Sequence, residues 1–89
     1  MNKLLYLRNN RRGTYWKARY IKRRKAYRIT HYTPGGEVST STKNAWAYLS
    51  EEDMKVQLKY NRILKNKPSK AMVQKAGWFG NAPPLWVKN

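Results

Sequence analysis

Two stretches of alternating side chains constrain the fold of this chain more than any other feature of its sequence. In the first, TYWKARYIK, the alternation sets Trp16, Ala18 and Tyr20 against Lys17 and Arg19. Successive side chains of a β-strand point to opposite faces of a sheet, and aromatic and β-branched residues favour strands. The stretch therefore predicts a strand with one apolar and one basic face.

The second stretch, AYRITHYT, repeats the pattern. It sets Tyr27, Ile29 and His31 against Arg28, Thr30 and Tyr32. Four consecutive cations, Lys22 to Lys25, separate the two stretches, which predicts a β-hairpin whose loop carries all four charges. Arg19 and Arg28 should then lie on one common face of the hairpin.

Weaker signals on both sides of the hairpin predict the rest of a sheet. KLLYLR, residues 3–8, has the composition of a short strand, and NNRRG after it predicts a turn, because Asn and Gly tolerate positive φ. PGG at 34–36 is a second turn signal, and EVSTST at 37–42 predicts a further short strand.

Helix signals follow the strand segments. Ser50 is a favourable N-cap residue, and Asp53 stands three positions later, as in a variant of the capping box. Leu49 and Met54 have the spacing of a hydrophobic staple. We expect a helix over residues 51–66, ended by the proline that follows.

Two shorter helices are also predicted. Thr42 could cap one over KNAWAYL, and SKAMVQKAG could form another with Gly77 as its C-cap. The expected fold is α+β, a small three- to four-stranded antiparallel sheet backed by one or two helices, with an aromatic C-terminal extension. We place the basic sheet-plus-helix domain at residues 1–67 and the aromatic, proline-containing extension at residues 68–89.

The extension carries large apolar side chains next to a Pro-Pro pair. A patch this apolar is seldom left bare on a soluble monomer. These large apolar side chains either complete a thin core or bind a partner protein or RNA, and the sequence leaves both alternatives open. The candidate partner-binding residues are Trp78, Phe79, Leu85 and Trp86.

Charge is the strongest functional signal. The chain has 20 Lys and Arg residues against 4 Asp and Glu, for a formal net charge of +16. Eleven of the cations fall between Lys3 and Arg28, and no acid precedes Glu37. Intramolecular pairing cannot neutralise these cations, so we expect an anionic partner, of which nucleic acid is the commonest.

Enzyme chemistry finds little support. The three acids from Glu51 to Asp53 are consecutive and suit a helix N-terminus, and the sole histidine, His31, lacks an orienting acid other than Glu37. The chain has no cysteine. We therefore expect no catalytic residue, metal, cofactor or small-molecule substrate.

The location of the protein is read from its apolar stretches. The longest near the N-terminus is LLYL, far short of a signal-peptide core or a membrane span. We expect a soluble cytoplasmic or nucleoid-associated protein, and the sequence is compatible with a phage-encoded or an organellar origin.

The interleaving of basic and aromatic residues defines the candidate nucleic-acid-binding set. Lys and Arg on strands can neutralise phosphates, Arg can bind guanine edges, and a two-stranded ribbon fits a major groove. Tyrosines among them could instead stack on unpaired bases. The candidate residues are Arg11, Arg12, Lys17, Arg19, Lys22, Arg23, Arg24, Lys25, Arg28 and Thr30.

Residues 4–50 resemble small DNA-binding modules in which a three-stranded sheet is backed by a helix. The segments YWKARY, KAYRITHY, PGGEVSTST and KNAWAYL follow the order seen in phage tyrosine-recombinase arm-binding domains and AP2 domains. The resemblance implies that the sheet face opposite the helix enters the major groove of duplex DNA. The matching positions are Lys17, Arg19, Arg28 and Thr30, with Arg23 and Arg24 on phosphates. Only this resemblance favours DNA over RNA, and it carries no recombination activity, since no recombinase catalytic domain is present.

Two alternatives to DNA binding fit the same composition. One is a structural RNA-binding component of a ribosome or another ribonucleoprotein, ordered by RNA and neighbouring proteins. The other is a small phage-encoded protein that binds a host enzyme or a capsid through its aromatic tail.

Overall fold

The computed structural model describes residues 4–41, 43 and 47–77, and in them an antiparallel sheet lies between two short helices. This confirms the α+β class, although the described residues form more strands than the predicted three to four. The elements are β1 (Leu4–Asn9), β2 (Tyr15–Ile21), β3 (Ala26–Thr33), β4 (Gly36–Ser39), β5 (Tyr48–Ser50), α1 (Glu51–Gln57), β6 (Asn61–Leu64) and α2 (Lys70–Ala76).

The sheet is built around the predicted hairpin of β2 and β3. The strand order is β4-β3-β2-β1-β6, and β5 also pairs with β3. β4 pairs with residues 30–33 of β3 and β5 with residues 26–28, so the two short strands share one edge. In the hairpin, Trp16 lies opposite His31 and Arg19 opposite Arg28, which confirms the predicted division of the two strands into faces.

The apolar face of the hairpin packs against α1 and forms the main core. Leu7 lies in this core with no exposed surface. Burial of such a side chain stabilises the folded state by about 1.5–3 kcal/mol. Leu49 and Met54, the predicted staple pair, belong to the same cluster. Its buried members are Leu5, Leu7, Trp16, Ala18, Tyr27, Ile29, Leu49 and Met54.

Helix α1 begins where the sequence predicts but ends early. The Ser50 hydroxyl accepts a hydrogen bond from the Asp53 backbone N–H at 3.1 Å, which confirms the N-cap. The predicted helix over 51–66 is wrong beyond Gln57, because residues 61–64 form β6 and pair with β1.

The side chain of Asn61 explains the change from helix to strand. Its Nδ2 donates to the Gln57 carbonyl at 2.7 Å, and its Oδ1 accepts from the Trp16 indole at 2.8 Å. These bonds satisfy a carbonyl at the helix end and anchor the chain to the core. The residues that follow then cover the edge of β1, which would otherwise expose unpaired backbone groups.

The segment before α1 also differs from expectation. Residues Tyr48–Ser50 form β5, so the predicted helix over KNAWAYL is wrong at its C-terminal end. Thr42 and residues 44–46 lie outside the described part. The predicted strand over 37–42 is shorter, because β4 ends at Ser39.

Helix α2 covers part of the second face of the sheet. The Ser69 hydroxyl caps its start, accepting from the Met72 N–H at 3.1 Å, and Gly77 follows its end with a φ of 74°, which confirms Gly77 as C-cap. Val73 packs against Tyr15 and Tyr32 in a second buried cluster. Neither α1 nor α2 has the length or apolar character to span a membrane.

The predicted extension begins within this packed region. Pro68 is buried and α2 contacts the sheet, so this part of residues 68–89 belongs to the folded body. The predicted partner-binding residues Trp78, Phe79, Leu85 and Trp86 lie outside the described residues.

Candidate nucleic-acid interface

The four loop cations lie at one end of the sheet, where β2 turns into β3. Lys22, Arg23, Arg24 and Lys25 are all exposed. The loop is closed by a hydrogen bond from the Arg24 N–H to the Ile21 carbonyl at 3.0 Å, and Lys25 adopts a positive φ of 50°. The predicted hairpin loop is therefore a tight turn that presents its charges to solvent.

No acidic side chain among the described residues forms an ion pair with a loop cation. Glu51 lies nearby at the start of α1, where it interacts with Tyr20. Partial burial, followed by the Glu51 carboxylate, raises the pKa of the Tyr20 hydroxyl. The loop itself carries four positive charges, and the acids Glu51, Glu52 and Asp53 begin α1 just after Ser50, which pairs with Ala26 at the end of the loop.

The predicted basic face exists, but its members have different surroundings. Lys17 lies opposite Thr30 and Arg19 opposite Arg28, on the face away from α1. Arg19 is exposed and forms no ion pair with a described residue. The other three predicted positions are engaged within the fold.

Arg28 is engaged by backbone carbonyls. Its Nη1 donates to the Ala47 carbonyl at 3.0 Å and its Nη2 to the Thr40 carbonyl, so the guanidinium joins the two sides of the segment between β4 and β5. The half-buried side chain acts mainly as a structural clamp. The sequence pattern missed this role because the carbonyls belong to residues distant in the chain.

Lys17 and Thr30 are engaged at the middle of the sheet face. Lys17 forms an ion pair with Glu37, and the buried Thr30 hydroxyl lies 3.1 Å from the Ser39 hydroxyl. Hydrogen bonding to Lys17 is the largest effect on Glu37 and lowers the pKa of its carboxyl, with Lys67 contributing at 3.8 Å. Lys17 is therefore partly neutralised.

The ring of Tyr48 contacts both Arg24 of the loop and Arg28 of β3. The Arg24 guanidinium carbon lies 4.2 Å from the centre of the Tyr48 ring, and that of Arg28 lies 5.2 Å from the same point. Tyr48 is held in β5 directly opposite Arg28. Sequence reasoning missed Tyr48 because it placed this residue in a helix.

Arg11 and Arg12 lie at the other end of β2. Both are exposed in the turn after β1, where the Asn9 side chain accepts their backbone N–H groups at 3.0 and 2.9 Å. The seven residues of β2 separate this turn from the hairpin loop, a distance of about 20 Å. The fold therefore divides the predicted binding set between two ends.

A cleft of about 320 Å³ lies between the turn after β3 and helix α2. Tyr32 contributes to its wall, and the buried Tyr32 hydroxyl has no hydrogen-bond partner among the described residues. Burial, followed by Glu37 and Tyr6, raises the pKa of Tyr32 to about 12. Lys67 and Lys70 line the same cleft, on the side away from the hairpin loop.

His31 belongs to the sheet, as predicted for a strand histidine. It is partly buried opposite Trp16, and burial lowers the pKa of its imidazole. No cluster of three His, Cys, Asp or Glu side chains that could hold a metal ion occurs in the described part of the chain.

Comparisons with known protein families, with curated proteins and with solved structures give no match for this chain.

Proposed function

We propose that this protein is a non-enzymatic nucleic-acid-binding protein that contacts duplex DNA with the loop end of its hairpin. One observation carries the proposal: five adjacent cations are exposed at one end of the sheet without an acidic partner among the described residues. They are Arg19, Lys22, Arg23, Arg24 and Lys25.

The energetics of such a surface favour a polyanion. Five like charges on one short hairpin repel each other, and neutralising them with phosphates removes this repulsion. Each neutralised phosphate releases a condensed counterion, which makes binding depend steeply on salt. Phosphate contacts of this kind supply affinity for any sequence.

The shape of the hairpin supports duplex DNA as the partner. β1 and β5 flank the two strands of the hairpin, but their pairing ends at Arg19 and Ala26, so the loop of Lys22–Lys25 lies beyond them. We expect this loop to enter the major groove of B-DNA, which is wide enough to admit two strands. The major groove of A-form RNA is too deep and narrow for side chains to read. Helix α1 packs on the apolar face of the sheet, away from Lys17 and Arg19. Helix α2 packs against Tyr32, at the end of β3 that is distant from the loop. Both helices therefore leave the loop accessible.

The test is a comparison of three ligands at matched ionic strength. Fluorescence anisotropy would measure the Kd of the protein for a short duplex DNA, for one strand of it, and for a hairpin RNA. We expect the duplex DNA to bind most tightly. Tighter binding to the RNA would instead favour a ribonucleoprotein component, and absence of binding to all three would contradict the proposal.

A further inference from the structure

Arg24 differs from its neighbours in the loop. Its guanidinium carbon lies over the Tyr48 ring, 4.2 Å from the ring centre, whereas Lys22, Arg23 and Lys25 have no ring contact or ion pair with a described residue. The position of Tyr48 is also restricted, because β5 pairs with β3. Arg28, whose side chain donates to the Ala47 carbonyl, lies against the Tyr48 ring as well. The described contacts therefore favour one position for the Arg24 side chain, which its neighbours in the loop do not share.

Stacking on an aromatic ring leaves the edge of a guanidinium available. The stacked side chain has already lost rotamer freedom, so less entropy is lost when its N–H groups bind a ligand. The donors of this edge form a rigid fork that matches two acceptors in one plane. Arg24 is thus suited to a ligand group whose acceptors are also fixed.

A phosphate gains little from such order. A flexible Lys or Arg neutralises a phosphate through its charge, and phosphate contacts carry no sequence information. The O6 and N7 atoms of guanine, by contrast, present two coplanar acceptors at the floor of the major groove. The more ordered Arg24 therefore suits the fixed acceptors of guanine, and its less ordered neighbours suit phosphates.

Resting on the proposed function, we infer that Arg24 reads the major-groove edge of guanine, while Lys22, Arg23 and Lys25 bind phosphates. Tyr48 is the positioning residue that holds Arg24 for this contact. The protein then discriminates between duplexes by guanine content.

The test uses duplexes of alternating G and C, in which guanine is presented in every register, and the same duplexes with 7-deazaguanine. The analogue lacks N7 but keeps the backbone charge and the base pairing. We expect the wild-type protein to bind the guanine duplex more tightly, on the order of tenfold. Arg24→Lys should lose this ratio and retain affinity for the analogue, because lysine keeps the charge without the fork.

Matched variants separate a positioning role from a general one. The guanine ratio is the affinity for the guanine duplex divided by the affinity for the 7-deazaguanine duplex. Arg23→Lys should keep this ratio. Tyr48→Phe should also keep it, because its ring can still stack on Arg24, whereas Tyr48→Leu should lose it. Thermal unfolding of the Tyr48 variants checks that they remain folded, and Arg24→Lys tests the same contact without touching the core.

Two results would overturn the inference. Equal wild-type affinity for both duplexes would exclude the base contact, as would equal effects of Arg24→Lys and Arg23→Lys on the guanine ratio. Either result would still be consistent with the proposed function, in which the loop binds phosphates. If the wild-type protein binds neither duplex, the proposed function itself is overturned.

Discussion

The two ends of the basic sheet face carry similar side chains but differ in what surrounds them. At the hairpin end, Arg19 and the loop cations are exposed and have no acidic partner among the described residues. Toward α2, Lys17 is paired with Glu37, and Tyr32 is buried beneath the helix. The partners that a cation finds in the fold therefore decide whether it is available for a ligand.

Arg28 and Arg19 provide the sharpest test of this difference, because they lie directly opposite each other on one face. Arg28→Ala should lower the free energy of unfolding by about 2–3 kcal/mol, since partly buried carbonyls lose a charged donor. Arg19→Ala should change it by less than about 0.5 kcal/mol. Urea denaturation followed by circular dichroism would measure both. Equal losses in the two variants would contradict the distinction between Arg28 as a structural clamp and Arg19 as a cation without an ion pair to a described residue.

Tyr32 tests the end covered by α2. Its buried hydroxyl has no partner among the described residues, so Tyr32→Phe should stabilise the protein at neutral pH by up to about 1 kcal/mol. A loss of stability in this variant would show that the hydroxyl is hydrogen-bonded.

The same residue predicts a pH dependence. The pKa of Tyr32 is raised to about 12, against about 10 in the unfolded chain. Between these values the unfolded chain releases the proton and the folded protein retains it. Stability should therefore fall as the pH rises above about 10. Tyr32→Phe should remove this part of the loss, measured by denaturation at pH 9 and above.

Lys25 tests the hairpin end with a smaller effect. Its positive φ of 50° costs an L-residue about 1–2 kcal/mol, partly offset by the entropy that glycine loses on folding. Lys25→Gly should therefore stabilise the protein by about 0.5 kcal/mol, whereas Lys22→Gly should destabilise it. Both variants remove one charge, so they should weaken DNA binding equally. Unequal binding at equal folded fraction would show that the loop cations are not equivalent phosphate ligands.

The alternation in the sequence predicted much of the sheet. It assigned Trp16 and Lys17 to opposite faces and placed the cations of Lys22–Lys25 in a loop, because strand periodicity is a local property. It could not predict that Lys17 meets Glu37 or that Arg28 meets the Ala47 carbonyl. These contacts depend on how distant segments pack, which periodicity does not encode.

The helix error has a similar origin. Ser50 and the acids after it correctly marked the start of α1, since capping depends on neighbouring residues. The end of the helix depends on Asn61 bonding to Trp16, a contact across the fold. The apolar residues of this segment, which include Met54, Val56, Leu58, Tyr60 and Ile63, spread around most of a helical wheel. This spread indicated that one helix could not bury them all on a single face.

Nucleic-acid binding at the hairpin end can be measured through the salt dependence of duplex DNA binding. The double variant Lys22→Ala/Arg23→Ala is compared with Lys55→Ala/Lys59→Ala, which removes the same charge from α1 and the turn after it. We predict that the first reduces the slope of log Kd against log salt by about two, because each phosphate contact contributes about 0.9. The second should leave the slope unchanged. Equal reductions in both variants, or an unchanged slope in the first, would show that nucleic acid does not bind at the hairpin end.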